Sequence, residues 1–176
     1  TKGLSNPTSW IIGIGNISGF SINDYMNFNN AIKSNSSTFY QAYGASTFQV
    51  GVSGANEMNK NSSNDYISYC FKSIANYSQV GTYTGNGNAT GPIETTVFQP
   101  TFVLIKRTDD VSNWNIYDTS RDPSNPSGPP LYPNLSNQEA GSQAVNFLTT
   151  GFQPAIAGGD INENNGIYIY LAIKEN

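Results

Sequence analysis

Trp114, Tyr117, Asp118 and Arg121 crowd into one short stretch of the chain, and Tyr132 follows on the next. Side chains of these types bind sugars: an aromatic face stacks on a pyranose, while a carboxylate and a guanidinium exchange hydrogen bonds with its hydroxyls. These five residues form a candidate glycan-binding set. A competing reading is internal. Trp114 aligns with Phe20 in a repeated sequence pattern, and a position apolar in both copies fits a buried core residue, with Asp118 and Arg121 as an ion-pair fastener. Period-two alternation also puts Tyr117 on the other strand face from Trp114, which weakens a joint platform.

Other chemistry is harder to assemble. Asp160, Asn162 and Asn164 alternate oxygen-bearing side chains as the start of a calcium loop does, but the glycine at the sixth position and the distal bidentate Glu are missing. An Asn-rich hairpin turn is the better account. No metal site and no cofactor is expected. Glycoside hydrolysis needs two carboxyls on one face, and no Glu-x-Asp-x-x-Glu spacing occurs. Asp109-Asp110 falls in a predicted turn, and Asp118 and Asp122 flank a loop, as solvated turn carboxylates do. The chain contains no His, which removes the usual general base near neutral pH and the commonest metal ligand. The expectation is a protein that is not an enzyme. Polysaccharide depolymerisation is the least favoured alternative, with Asp118 and Glu57 as the carboxylates to exclude.

The chain has 176 residues, enough for one domain with a substantial core. Charged residues make up 11% of it, so solubility rests on Asn, Ser, Thr and Gly. With 8 Lys+Arg against 12 Asp+Glu there is no basic stripe for phosphates, and nucleic acid is not an expected partner. The longest apolar run, Ile167 to Ile173, is too short to span a bilayer, so membrane insertion is not expected either. Cys70 lies inside an apolar run and reads as a small buried hydrophobe. A start at Thr1 without an initiator Met suggests a processed product or one module of a longer polypeptide.

The elements that would position these residues come from an internal repetition. Asn6–Gly13 matches Gln99–Lys106, Phe20–Asp24 matches Trp114–Asp118, and Tyr66–Lys72 matches Tyr168–Lys174, in one order and at a nearly constant offset. Every matched segment is of strand type. The predicted fold is an all-β, antiparallel β-sandwich with internal duplication. One domain over residues 1–176 is favoured, built of halves at about 3–75 and 77–176; two small tandem β domains are the alternative. Each half opens with a hairpin, the second pairing Phe102–Arg107 with Trp114–Asp118. In the closing strands Ile67, Tyr69 and Phe71, and likewise Ile169, Leu171 and Ile173, are assigned to the core face. Phe48–Val50 and Phe152–Pro154 are their assigned partners. Tyr77–Val97 reads as a hairpin around Gly85–Pro92. Met26–Gly44 and Ser120–Gln143, the latter with five of the nine prolines, read as long loops, with one helical turn at 137–140.

Three strings carry a family likeness. Tyr77–Gly87, then Phe98–Thr108, then Asn113–Asp118 with Arg121, resemble a domain of unknown function widespread in virion proteins of marine bacteriophages. Asn146–Phe152 and Asn162–Ile173 resemble that family's closing segment. The likeness is close from Tyr77 onward and looser over Gly3–Ile74; the first half lacks counterparts of Lys106-Arg107 and of Arg121. The resemblance implies a concanavalin/LamG-like jelly roll in a tail fibre, tail-associated or capsid-surface protein, and carries over no catalytic residue. It further implies a non-enzymatic structural or adhesive module of a phage particle, located on the virion and extracellular. Its expected partners are other virion proteins and its own copies, with host-surface polysaccharide as a candidate ligand. A pure assembly or decoration module without glycan binding is the alternative.

Overall fold

A computed structural model of the chain describes residues 1–3, 10–28, 33–37, 39–51, 65–139 and 141–175. They group into two compact units that divide between Cys70 and Phe71. The first contains β1 (Lys2–Gly3), β2 (Ile11–Gly13), β3 (Asp24–Asn27), β4 (Ser34–Asn35), β5 (Tyr40–Tyr43), β6 (Phe48–Val50) and β7 (Tyr66–Ile67). The second contains β8 (Ser78–Thr84), β9 (Glu94–Thr95), β10 (Phe102–Arg107), β11 (Trp114–Asp118), β12 (Val145–Leu148), β13 (Gly151–Pro154), the one-turn helix α1 (Gly159–Asn162) and β14 (Ile167–Ile173). The all-β, antiparallel class read from the sequence is what forms.

In the first unit β2, β3 and β4 make one antiparallel sheet, β5 and β6 a second, and β1 pairs with β7. Ile11 and Tyr40 form a small core against Tyr25, Phe39, Tyr43, Phe48 and Val50. Asp24, at the start of β3, is buried, and burial alone would raise its pKa. Hydrogen bonds from the Asn35 amide, the Ser21 N–H and Lys33 win, and hold the carboxyl below its ordinary value.

The second unit is a two-layer sandwich. One sheet runs β11-β10-β14-β8 and the other β12-β13-β9. In the larger sheet, register neighbours Val103, Ile105, Tyr117, Tyr168, Tyr170, Ala172 and Tyr83 share one face. They meet Val145, Phe147 and Phe152 of the smaller sheet and Ile161 of α1 in one buried cluster. Aromatic geometry fixes the fit: Tyr83 stacks on Tyr168 at 4.7 Å between ring centres, and Phe152 meets Tyr170 edge-on at 5.0 Å.

Several sequence expectations are corrected here. The sandwich core takes the even-numbered face of β14, because the Tyr168 hydroxyl accepts the Glu163 N–H and the Tyr170 hydroxyl accepts the Gln79 amide, so both phenols are buried with partners. Ile169 and Leu171, 6% and 7% exposed, are buried as well; a strand apolar on both faces is covered on both. Tyr69 and Phe71, assigned to a core face, are each 66% exposed, and Cys70 is exposed, not buried. Their alternation suits a strand, but β7 ends at Ile67 with its pairing to β1, and an alternating pattern creates a buried face only where a neighbour covers it. β13 pairs with β12 and β9 rather than with β14, and β6 pairs with β5. β8 and β9 are not a hairpin: they lie in different sheets. Their connection is tied to α1 and β13 by Asn86 N–H to Asn162 Oδ1 and Gly91 N–H to the Pro154 carbonyl. The 26–44 stretch contains half of β3 and all of β4 and β5. Residues 137–139 are not helical, and Ala140 lies outside the described residues. So do residues 6–9 of the first repeated segment, and Glu57.

Candidate functional site

β11 is an edge strand of the larger sheet and β12 an edge strand of the smaller, and the 120–143 segment crosses from one edge to the other. It is fastened at each step. Leu131 exchanges two backbone hydrogen bonds with Ile116 of β11, and Ser127 does the same with Val145 of β12. The Asn125 side chain acts as a further strand residue, accepting from Phe147 N–H at 2.8 Å and donating to the Phe147 carbonyl at 3.1 Å. Asn134 accepts the Trp114 N–H and donates to Asn113 Oδ1. Asp122 receives Ser124 and Gly128 N–H groups. Bonds from Ser124, through its side chain first, and from Gly128 hold this carboxyl at about 2. The segment read as a long loop is therefore a tied strap closing one side of the sandwich.

The five candidate glycan residues separate by depth. Trp114 is 4% exposed and Tyr117 is fully buried, so neither ring is displayed for stacking. Asp118 takes the Arg121 N–H on one oxygen, at 2.7 Å, and Arg121 Nε on the other, at 3.3 Å; Glu139 closes a second ion pair on the same guanidinium. Arg121 Nη2 is buried without a partner among the described residues. Tyr132 is half-buried, its hydroxyl facing Gln143.

The three oxygen-bearing residues considered for a metal also go separate ways. Asn162 is a buried hub: its Nδ2 lies 3.1, 2.7 and 2.8 Å from Asn86 Oδ1, the Asn88 carbonyl and the Ile156 carbonyl. Asn164 is exposed. Asp160 belongs to a third neighbourhood. Among the described residues no three of Cys, Asp or Glu gather as a metal group.

That third neighbourhood is the one sequence reasoning missed. Gly158 and Gly159 both have positive φ, 73° and 72°, a conformation that favours glycine. This double turn starts α1 and brings Asp160 against the N-terminal end of β11. Asp160 Oδ2 accepts long hydrogen bonds, 3.4 Å each, from Asn113 Nδ2 and Gln143 Nε2, and its backbone carbonyl accepts Ser112 Oγ. Oδ1 accepts none from a described residue. Behind this rim, Asn115 Oδ1 and the Tyr117 hydroxyl are buried without hydrogen-bond partners among the described residues. Burial drives the Tyr117 hydroxyl's pKa well up, with Tyr132 and Asp160 adding to the rise. Lys106, in register between Trp114 and Ile169, is buried with Nζ donating to the Arg107 carbonyl at 2.7 Å. Burial pulls its ammonium down to about 8, and the Asp160 carboxylate is the foremost charge resisting that shift. The Gly158-Gly159 doublet was the one local signal for this cluster; its other members are far apart in the chain.

No helix among the described residues is long and apolar enough to cross a membrane. Comparison with curated proteins and with solved structures gives no match. The family model described as "Domain of unknown function (DUF7483)" matches residues 1–176, and the chain belongs to that family.

Proposed function

We propose that the chain is a non-enzymatic structural and adhesive module of a bacteriophage particle, a concanavalin-like sandwich that contacts host-surface glycan through the face built by the 120–143 strap. The tied strap carries this reading: a polar surface fastened to both sheets presents hydrogen-bonding groups at little entropic cost on binding. Polar groups held on a rigid scaffold are a usual form of recognition surface. Low charge gives such a surface little long-range attraction for polyanions. Two measurements test it. Fluorescently labelled protein on an array of bacterial surface glycans should bind a subset at micromolar to millimolar concentration, and antibody raised against the chain should decorate intact particles from its source. Absence of labelling on particles would remove the virion assignment.

The assembly reading, in which the module binds only virion proteins or its own copies, has one observation in its favour. Ile93 and Val97 flank β9 and are 62% and 68% exposed. Apolar side chains at an edge strand suit contact with protein more than with sugar. Particle labelling with a silent glycan array would select this reading.

A further inference from the structure

The Asp160 neighbourhood has the make-up of a small-ligand site. Asp160, Asn113, Gln143 and Tyr132 are all partly exposed, and their side chains converge from α1, the turn before β11, and the middle and last residue of the strap. The existing contacts do not saturate Asp160. Both amide bonds to Asp160 Oδ2 are 3.4 Å long, well beyond the usual range for a charge-assisted bond, and Oδ1 has no described partner. Two fully buried side chains of β11 add to this: Asn115 Oδ1 and the Tyr117 hydroxyl lack partners among the described residues, and the hydroxyl lies within electrostatic reach of Tyr132 and Asp160. Buried polar atoms in folded proteins are normally paired, and orphans beside a partly open polar rim are what an incoming hydroxyl or a bridging water would satisfy.

The charge balance selects the ligand class. Asp160 lies within electrostatic reach of the buried Lys106, so the local pair is close to neutral. Arg121 is engaged by Asp118 and Glu139, and Lys106 Nζ donates to the Arg107 carbonyl, so both cations are already committed and a carboxylated or sulfated sugar is disfavoured. The rim offers a carboxylate acceptor and two amides beside a phenol, complementary to hydroxyls that both donate and accept. A Cβ on Gly141 would come within 3.2 Å of the Tyr132 hydroxyl.

We propose that the rim formed by Asp160, Asn113, Gln143 and Tyr132 binds vicinal hydroxyls of a neutral saccharide, with the Asp160 carboxylate as the principal acceptor. This rests on the adhesive reading above and gives it a site, distinct from the Trp114 and Tyr117 rings.

The test uses the full chain, titrated with methyl glycosides of glucose, galactose and mannose, and with glucuronate as the anionic counterpart, while the side-chain amide resonances of Asn113 and Gln143 are followed by NMR. At least one neutral glycoside should move both amides saturably. Asp160→Asn should weaken that binding about tenfold or more, whereas Asp110→Asn, which removes the same charge at an exposed turn, should leave it within about twofold. The proposal is overturned if neither amide moves with any neutral glycoside up to about 50 mM, if glucuronate binds tighter than methyl glucoside, or if Asp160→Asn binds as well as the unmutated chain. Should the array show glycan binding while these amides stay still, the adhesive reading stands and this site falls. A silent array together with still amides removes both.

Discussion

The Asn162 side chain gathers four hydrogen bonds. Its amide nitrogen serves three acceptors and its oxygen takes the Asn86 N–H, and these bonds tie the β8–β9 connection to α1. Asn162→Ala leaves several part-buried groups unpaired and should cost about 2–4 kcal/mol in denaturant unfolding. Asn164→Ala, at an exposed position, should stay within about 0.5 kcal/mol; equal effects would refute the hub. Glu94 offers a second residue-scale prediction. Opposite Phe152 in register and half-buried, its carboxyl is pushed by burial from 4.5 up to about 7. The folded state therefore holds the proton more tightly than the unfolded one. Its favourable contribution is complete below pH 4.5 and is lost as pH rises to about 7. Glu94→Gln should remove that fall, so the variant gains thermal stability relative to the unmutated chain between about pH 4 and pH 8. A difference in melting temperature that stays constant with pH would refute this.

Among the elements, β9 is two residues long and survives by close approach to β13. A Cβ on Gly151 would run into the backbone carbonyl of Glu94, with the carbonyl carbon 2.9 Å away. Backbone cannot swing aside as a side chain can. Gly151→Ala should force β9 off its neighbour and cost about 2–3 kcal/mol, measured as a lower denaturation midpoint, with faster amide exchange at Thr96, whose N–H bonds to the Thr150 carbonyl. Unchanged stability would mean that β9 is not held at this distance. The hairpin of β10 and β11 was legible with its bounds because a polar cluster separates two apolar runs, which is local information. The strap was not. Its order comes from Asn125, Asn134, Ser127 and Leu131 reaching strands they are remote from in sequence, and nothing in their immediate neighbours announces those partners.

At the scale of the molecule, every residue of the second unit's main cluster lies between Tyr83 and Ala172. A fragment of residues 71–176 should therefore fold by itself, giving a β-type circular dichroism spectrum and one cooperative thermal transition; an insoluble or gradually melting fragment would refute this. The amino-acid sequence by itself determined the class of the fold, since period-two apolar runs between turn formers have only sheet to enter, and it determined β10, β11, β13 and β14 of the second half. It also set the shortage of charge and the lack of histidine that narrow the chemistry. Tertiary structure alone decided which face of β14 meets the core, because Tyr168 and Tyr170 can be buried only where Glu163 and Gln79 supply partners. It decided too that Tyr69, Cys70 and Phe71 stay exposed, and that Asp160 meets Asn113 and Gln143 rather than its neighbours Asn162 and Asn164. Alternation specifies that a strand has two faces; which face is covered, and which distant polar groups converge, depends on contacts between segments far apart along the chain.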